Sequence, residues 1–143
     1  MTSQLELQQT VPSPPAAVWQ ALTSPAALAA WFWPPQLQPA AEIDLRPGGR
    51  YRIAGPGAGI AVAGQYAAVD APRLLAFSWQ WDGEPDQTSV TVLLAAVADG
   101  TDLTVRHEGF ASDAVRDDHI QGWSDCLSRL PGWLAGQQPP PAG

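Results

Sequence analysis

DHIQGWSDCLSRLPGWL, residues 118–134, carries Ile120, Trp123, Leu127, Leu130 and Leu134 at alternating steps of three and four. That spacing aligns side chains along one face of a helix, so the segment reads as an amphipathic helix with one apolar stripe. Two bulky residues sit beside glycines, as Gly122-Trp123 and Gly132-Trp133, although a glycine costs a helix about 0.5–1 kcal/mol relative to alanine. The helix is expected to start near Ser112-Asp113, with Asp113, Asp117 and Asp118 suited to the positive end of its dipole. Asp125 and Arg129 have the i,i+4 spacing of an ion pair, and Pro131 is expected to kink or tighten the last turns.

Upstream, the period changes to two. RLLAFSWQWDG places Leu75, Phe77, Trp79 and Trp81 on one side of a strand and Ala76, Ser78 and Gln80 on the other. TSVTVLLAAVADG and TDLTVRHEGF read as two further strands meeting at Asp99-Gly100, a hairpin signal. In the second of them His107 shares a face with Leu103 and Val105, opposite Glu108. AEIDLRPGGRYRIAG reads as strand, turn and strand around Gly48-Gly49, and AGIAVAGQYAAVDAP as another strand. QLELQQTV near the start alternates as a half-buried strand. Between it and the sheet strands lie SPPAAVWQAL and SPAALAAWFW, two short helices with Ser13 and Ser24 as caps, Pro14 and Pro25 at the first position, and Pro34-Pro35 as the stop. Trp19 belongs to the core. The order predicts an α+β fold: a curved antiparallel sheet whose concave face is closed by one long helix.

The chain has 143 residues with 45% apolar content, which fits one globular domain. Residues 1–136 are expected to form it and residues 137–143, without an apolar anchor, a disordered tail. The net charge is −7 and all seven basic residues are arginines. Only Arg46, Arg50 and Arg52 lie close together, as a solvated strand edge would have them, so no nucleic acid is expected as partner. No apolar run approaches the ~20 residues of a membrane span, so no membrane is expected either. The opening MTSQLELQQT lacks the basic and apolar regions of a secretory signal. The single cysteine, Cys126, excludes an internal disulfide, and a cytoplasmic location is expected.

Five segments, VPSPPAAVWQALTSPAALAAWF, DLRPGGRYRI, GQYAAVDAPRLLAFSWQWDG, VTVLLAAVADGTDLTVRHEGF and HIQGWSDCLSRL, occur in this order. Together they resemble the activator of heat-shock-protein ATPase homologue group, Aha-type domains of the START-like, or SRPBCC, superfamily. The resemblance runs from about residue 5 to about residue 134. It includes an aromatic after Gly48-Gly49 at Tyr51, and Val69, Asp70, Pro72, Leu75, Phe77, Trp79 and Trp81 of the central strands. His107, Gly109 and Phe110, then Gly122, Trp123, Leu127 and Leu130, complete it. The resemblance implies the helix-grip fold, with a cavity between the long helix and the sheet. Pro131 departs from it, since members usually continue the helix there. The separate N-terminal domain of chaperone-activating members is not expected within these 143 residues.

Chemistry is sparse. One cysteine and two histidines do not make a structural zinc site. The glycines at 55, 57 and 59 do not match a dinucleotide loop, so neither metal nor other cofactor is implied. His107 and Glu108 point to opposite faces and cannot cooperate as acid and base. His107 is either a core histidine bonded to its surroundings or the polar group that orients a ligand. Cys126 has no basic residue at i±4 and reads as inert packing.

Seven tryptophans are the strongest residue-level feature. An indole is large, rigid and planar, suited to walling a cavity as well as filling a core. Trp33, Tyr51, Phe77, Trp79, Trp81, His107, Gly122 and Trp123 are therefore the candidate ligand-binding residues, with Gly122 leaving room beside Trp123. A small apolar or aromatic molecule is the expected partner of a monomer or homodimer without chemistry of its own. A polyketide cyclase or aromatase-type enzyme and a chaperone-cofactor-like interaction module are the alternatives. A sealed hollow with one histidine would fit binding. An open hollow with two or more converging titratable groups would fit an enzyme.

Overall fold

Alternation of apolar and polar residues produces seven strands and the 3.6-residue stripe produces the helix, in the order the sequence dictates. The computed structural model describes residues 3–137. Strand β1 spans Ser3–Val11, followed by helices α1 (Pro15–Thr23) and α2 (Pro25–Trp31) and a single 3-10 turn at Pro35–Leu37. The strands β2 (Ala40–Ile43), β3 (Arg50–Gly55), β4 (Ile60–Asp70), β5 (Leu74–Trp81), β6 (Thr88–Val97) and β7 (Gly100–Phe110) follow, then α3 (Asp113–Gln137). The sheet runs β1-β7-β6-β5-β4-β3-β2, with every neighbouring pair antiparallel. This is the helix-grip arrangement. Gln137 closes α3 and so belongs to the helix, while the rest of the expected tail, residues 138–143, lies outside the described residues.

The core lies between the sheet and α3. Leu75, Trp79, Leu103, Val105, Trp123, Leu127 and Leu130 are buried in one cluster, with Phe77 and Ile120 half-buried at its border. The sheet must bend to wrap the helix, and Gly64 is where β4 allows it. A Cβ there would stand 1.9 Å from the Ser78 carbonyl oxygen. The Tyr51 hydroxyl donates to that same oxygen at 2.6 Å, and the β4–β5 register shifts between Tyr66 and Ala68.

Four local expectations meet different outcomes. Ser24 caps α2 by accepting from the Ala27 N–H at 3.3 Å, with a single residue separating the two helices. Ser13 does not cap α1, because the helix starts one residue later and Pro14 takes the cap position. The buried Ser13 instead offers its carbonyl to the Thr101 hydroxyl at 2.7 Å. Asp125 and Arg129 do not pair. Asp125 accepts from the Gln121 amide at 3.0 Å, while the Arg129 guanidinium donates to the carbonyls of Trp31 and Phe32 at 3.1 and 2.7 Å. Those carbonyls close α2 and lack helical donors, so the cation serves both their hydrogen bonds and the negative end of the dipole.

Pro131 does not end α3, which continues to Gln137. Proline lacks the N–H that would bond the carbonyl four residues earlier. That carbonyl belongs to Leu127, and the Gln9 side-chain amide of β1 donates to it at 3.1 Å. The strand thus replaces the bond that the proline removes. Gln9→Ala is expected to cost about 1 kcal/mol, the worth of one such hydrogen bond. Measured by urea unfolding, that cost is expected to shrink in a Pro131→Ala background, where residue 131 supplies its own N–H. Equal costs in the two backgrounds would contradict the compensation.

Candidate functional site

Trp123 on α3 and His107 on β7 meet at the centre of the grip. An indole nitrogen can only donate, so the Trp123 Nε1–H, 3.0 Å from His107 Nδ1, fixes that ring nitrogen as the acceptor. The proton of the neutral imidazole then sits on Nε2, which lies 2.6 Å from the Thr88 hydroxyl. Thr88 passes the chain on to the Trp79 carbonyl at 3.3 Å. His107 is fully buried, and burial, with His119 nearby as the smaller cause, pushes its pKa down from 6.5 to about 3. It is a neutral structural histidine.

A second bond runs the opposite way. Trp81 on β5 donates its Nε1–H to His119 Nε2 on α3 at 3.0 Å. His119 Nδ1 therefore carries the proton and donates it to the Val115 carbonyl at 2.9 Å. Helix indole to sheet imidazole, and sheet indole to helix imidazole, make a crossed pair. The imidazole rings are 5.2 Å apart, at 79°.

Beside this pair lies a hollow of about 210 Å³ lined by Phe32, Trp33, Trp79, Trp81, Asp118, His119, Gly122, Trp123 and Cys126. Trp33 and Trp81 stack with centroids 6.0 Å apart and planes 12° apart. Trp79 stands perpendicular to Trp81, at 5.5 Å and 88°, and Phe32 to Trp123, at 5.8 Å and 82°. Asp118 and Gly122 are exposed at the mouth. A Cβ on Gly122 would meet nothing within 4 Å, so the glycine adjoins open space. The clamp of Arg129 on the end of α2 positions Phe32 and Trp33 against α3.

Of the candidate residues, the fold thus brings together Trp33, Trp79, Trp81, Gly122 and Trp123. His107 lies behind this wall. Tyr51 and Phe77 pack elsewhere, edge to face at 5.2 Å, with Tyr66 completing their cluster. Burial raises the pKa of both tyrosines and keeps them neutral. Phe32, Asp118, His119 and Cys126 were not among the candidates. His119 and Cys126 flank Trp123 on α3 at steps of four and three, and that helical spacing is the signal the sequence offers for them. Cys126 does have a cationic neighbour, since Arg129 at i+3 approaches its sulfur at 3.7 Å. Burial still outweighs it and pushes the thiol up to about 12, so Cys126 stays protonated. Among the described residues, Trp79 Nε1 is a buried donor without a partner, which costs about 1–3 kcal/mol.

A larger hollow of about 840 Å³ lies over β2–β5, lined by Arg50, Arg52, Gln80 and Asp82 among others. Its Arg52 is held by both oxygens of Asp82, at 2.8 and 2.7 Å. It is an open polar surface, and the tryptophan-lined hollow is the candidate site. Among the described residues, no group of three His, Cys, Asp or Glu side chains could hold a metal ion, and no helix is long and apolar enough to cross a membrane.

The family model described as activator of Hsp90 ATPase homolog 1-like protein matches residues 12–135. The chain belongs to this family. Solved structures agree with the fold. Protein CV1439 from Chromobacterium violaceum is 24% identical, with 92% of this chain and 96% of that one covered and a TM-score of 0.79. CalU16 from Micromonospora echinospora is 27% identical over 97% of this chain and 78% of that one, with a TM-score of 0.78. PFC0360w, an HSP90 activator from Plasmodium falciparum, is 22% identical over 92% and 96% of the two chains, with a TM-score of 0.74. A comparison with curated proteins finds no match.

The depressed pKa of His107 sets the sign of an acid effect. The unfolded histidine takes up a proton below about 6.5, whereas the folded one refuses it until about 3. Stability from this group is complete above 6.5 and falls by about 1.4 kcal/mol per pH unit beneath it. His107→Gln, which does not titrate, is expected to be less stable at neutral pH. It is also expected to lose about 2 kcal/mol less than the parent between pH 6.5 and about pH 5. Denaturant unfolding at the two pH values checks this, and parallel losses would contradict it.

Proposed function

We propose that this protein is a small-molecule binding module that takes a small apolar or aromatic molecule into the tryptophan-lined hollow. The observation that carries the reading is the convergence of Phe32, Trp33, Trp79, Trp81 and Trp123 from α2, β5 and α3 around one space. Apolar walls with few polar groups are what small-molecule sites present. Gly122 keeps the helix side of that space free. The same proposal has the protein acting in the cytoplasm as a monomer or homodimer.

The hollow is open at Asp118 and Gly122, as an enzyme of the cyclase or aromatase type would require. Its titratable groups argue against that reading. His119 spends one nitrogen on Trp81 and the other on Val115, and Cys126 is held protonated by burial. A general base needs a free acceptor within reach of its substrate, and Asp118 at the rim is left as the one candidate. The chaperone-cofactor reading rests on the family's name.

Gly122→Leu tests the binding reading. Leucine is the better helix former by about 0.8–1 kcal/mol, and its side chain would enter open space. The variant is expected to melt at or above the parent's midpoint and, in NMR titrations of both proteins with toluene, to lose the binding expected of the parent. A clearly lowered midpoint, the result of overpacking at about 1–3 kcal/mol, would contradict the open space. Unchanged toluene binding would contradict its use.

A further inference from the structure

We propose, resting on the binding reading above, that the ligand of the tryptophan-lined hollow is a small organic cation, an alkylated or aromatic ammonium. Four indoles and one phenyl ring border the space. The negative face of an aromatic ring attracts a cation, and tryptophan does so best. Planes crossed at 88° for Trp79 and Trp81, and at 82° for Phe32 and Trp123, turn ring faces as well as edges toward a common space.

Charge supports the same choice. Asp118 is the one acid among the lining residues, and no hydrogen bond or ion pair engages it among the described residues. No arginine lines the hollow. The two on α3 are committed elsewhere, Arg116 to Asp113 and Asp117, and Arg129 to the end of α2. His119 turns an acceptor nitrogen, not a charge, toward Trp81. An anion entering here would meet a carboxylate and π-faces. A neutral hydrocarbon would leave Asp118 without a role. A cation uses both features, and the net charge of −7 draws it toward the protein.

Size narrows the class. A space of about 210 Å³ equals about seven waters at about 30 Å³ each, and falls below the roughly 300–1,000 Å³ of drug-sized sites. A compact head group fits better than a long acyl or polyketide chain.

Phenyltrimethylammonium and tert-butylbenzene have the same shape and differ in charge, so they separate this proposal from the one beneath it. Each is titrated into the full chain and followed by the indole N–H signals in NMR. The cation is expected to bind at least tenfold more tightly. Asp118→Asn, an exposed substitution, is expected to weaken the cation several-fold and to leave the hydrocarbon unchanged. Equal or tighter binding of the hydrocarbon overturns the cation proposal and leaves the binding reading standing. Failure of both molecules to move any indole signal overturns both. A cation preference untouched by Asp118→Asn overturns the part assigned to that carboxylate.

Discussion

Two hydrogen bonds running in opposite directions between α3 and the sheet hold this structure together at its centre. Trp123 of the helix gives its N–H to His107 of β7, and Trp81 of β5 gives its N–H to His119 of the helix. Each imidazole is thereby fixed in one tautomer, and the two tautomers are opposite. A helix packed by apolar stripe alone could slide or rotate by a fraction of a turn at small cost, because apolar contacts are not directional. The crossed pair removes that freedom. It also explains why such bulky residues sit here: an indole is long enough to cross the gap and still end in a donor.

The other polar contacts keep the helix in the position this pair defines. Gln9 serves the carbonyl that Pro131 leaves open, so β1 is tied to the same helix that β7 and β5 hold. Arg129 ties α3 to the end of α2 and brings Phe32 and Trp33 to the rim. The hollow is what remains between these attachments. Its walls are the donors of the crossed pair and their neighbours, so the groups that fix the fold and those that line the candidate site are largely the same. Binding there would be read directly by Trp81 and Trp123, while His107 remains out of reach behind them.

Periodicity made the strands, the long helix and their order legible, because periods of 2 and 3.6 persist over whole elements such as Leu75–Trp81 and Ile120–Leu134. It also placed His107 on the concave side. What it did not carry was the depth of each side chain along that face. Tyr51, Phe77 and Trp79 all point inward, yet the bend at Gly64 gathers Tyr51 and Phe77 into a cluster of their own with Tyr66. Helix spacing favours Asp125 as the partner of Arg129, whereas the carbonyls at the end of α2 that it binds lie nearly a hundred residues away. The role of His119 is hidden for a similar reason, since it depends on Trp81, which no local pattern links to it.

The most direct test of this account is the protonation state of the two imidazoles, followed by nitrogen NMR of the ring atoms across the pH range of the folded protein. The account predicts that His107 stays neutral, with its proton on Nε2, from neutral pH down to about pH 4, in keeping with a pKa of about 3. It predicts the opposite tautomer, with the proton on Nδ1, for neutral His119. A His107 that titrates near 6.5, or one that carries its neutral-state proton on Nδ1, would mean that Trp123 does not donate to it. The crossed attachment of helix to sheet would then be wrong.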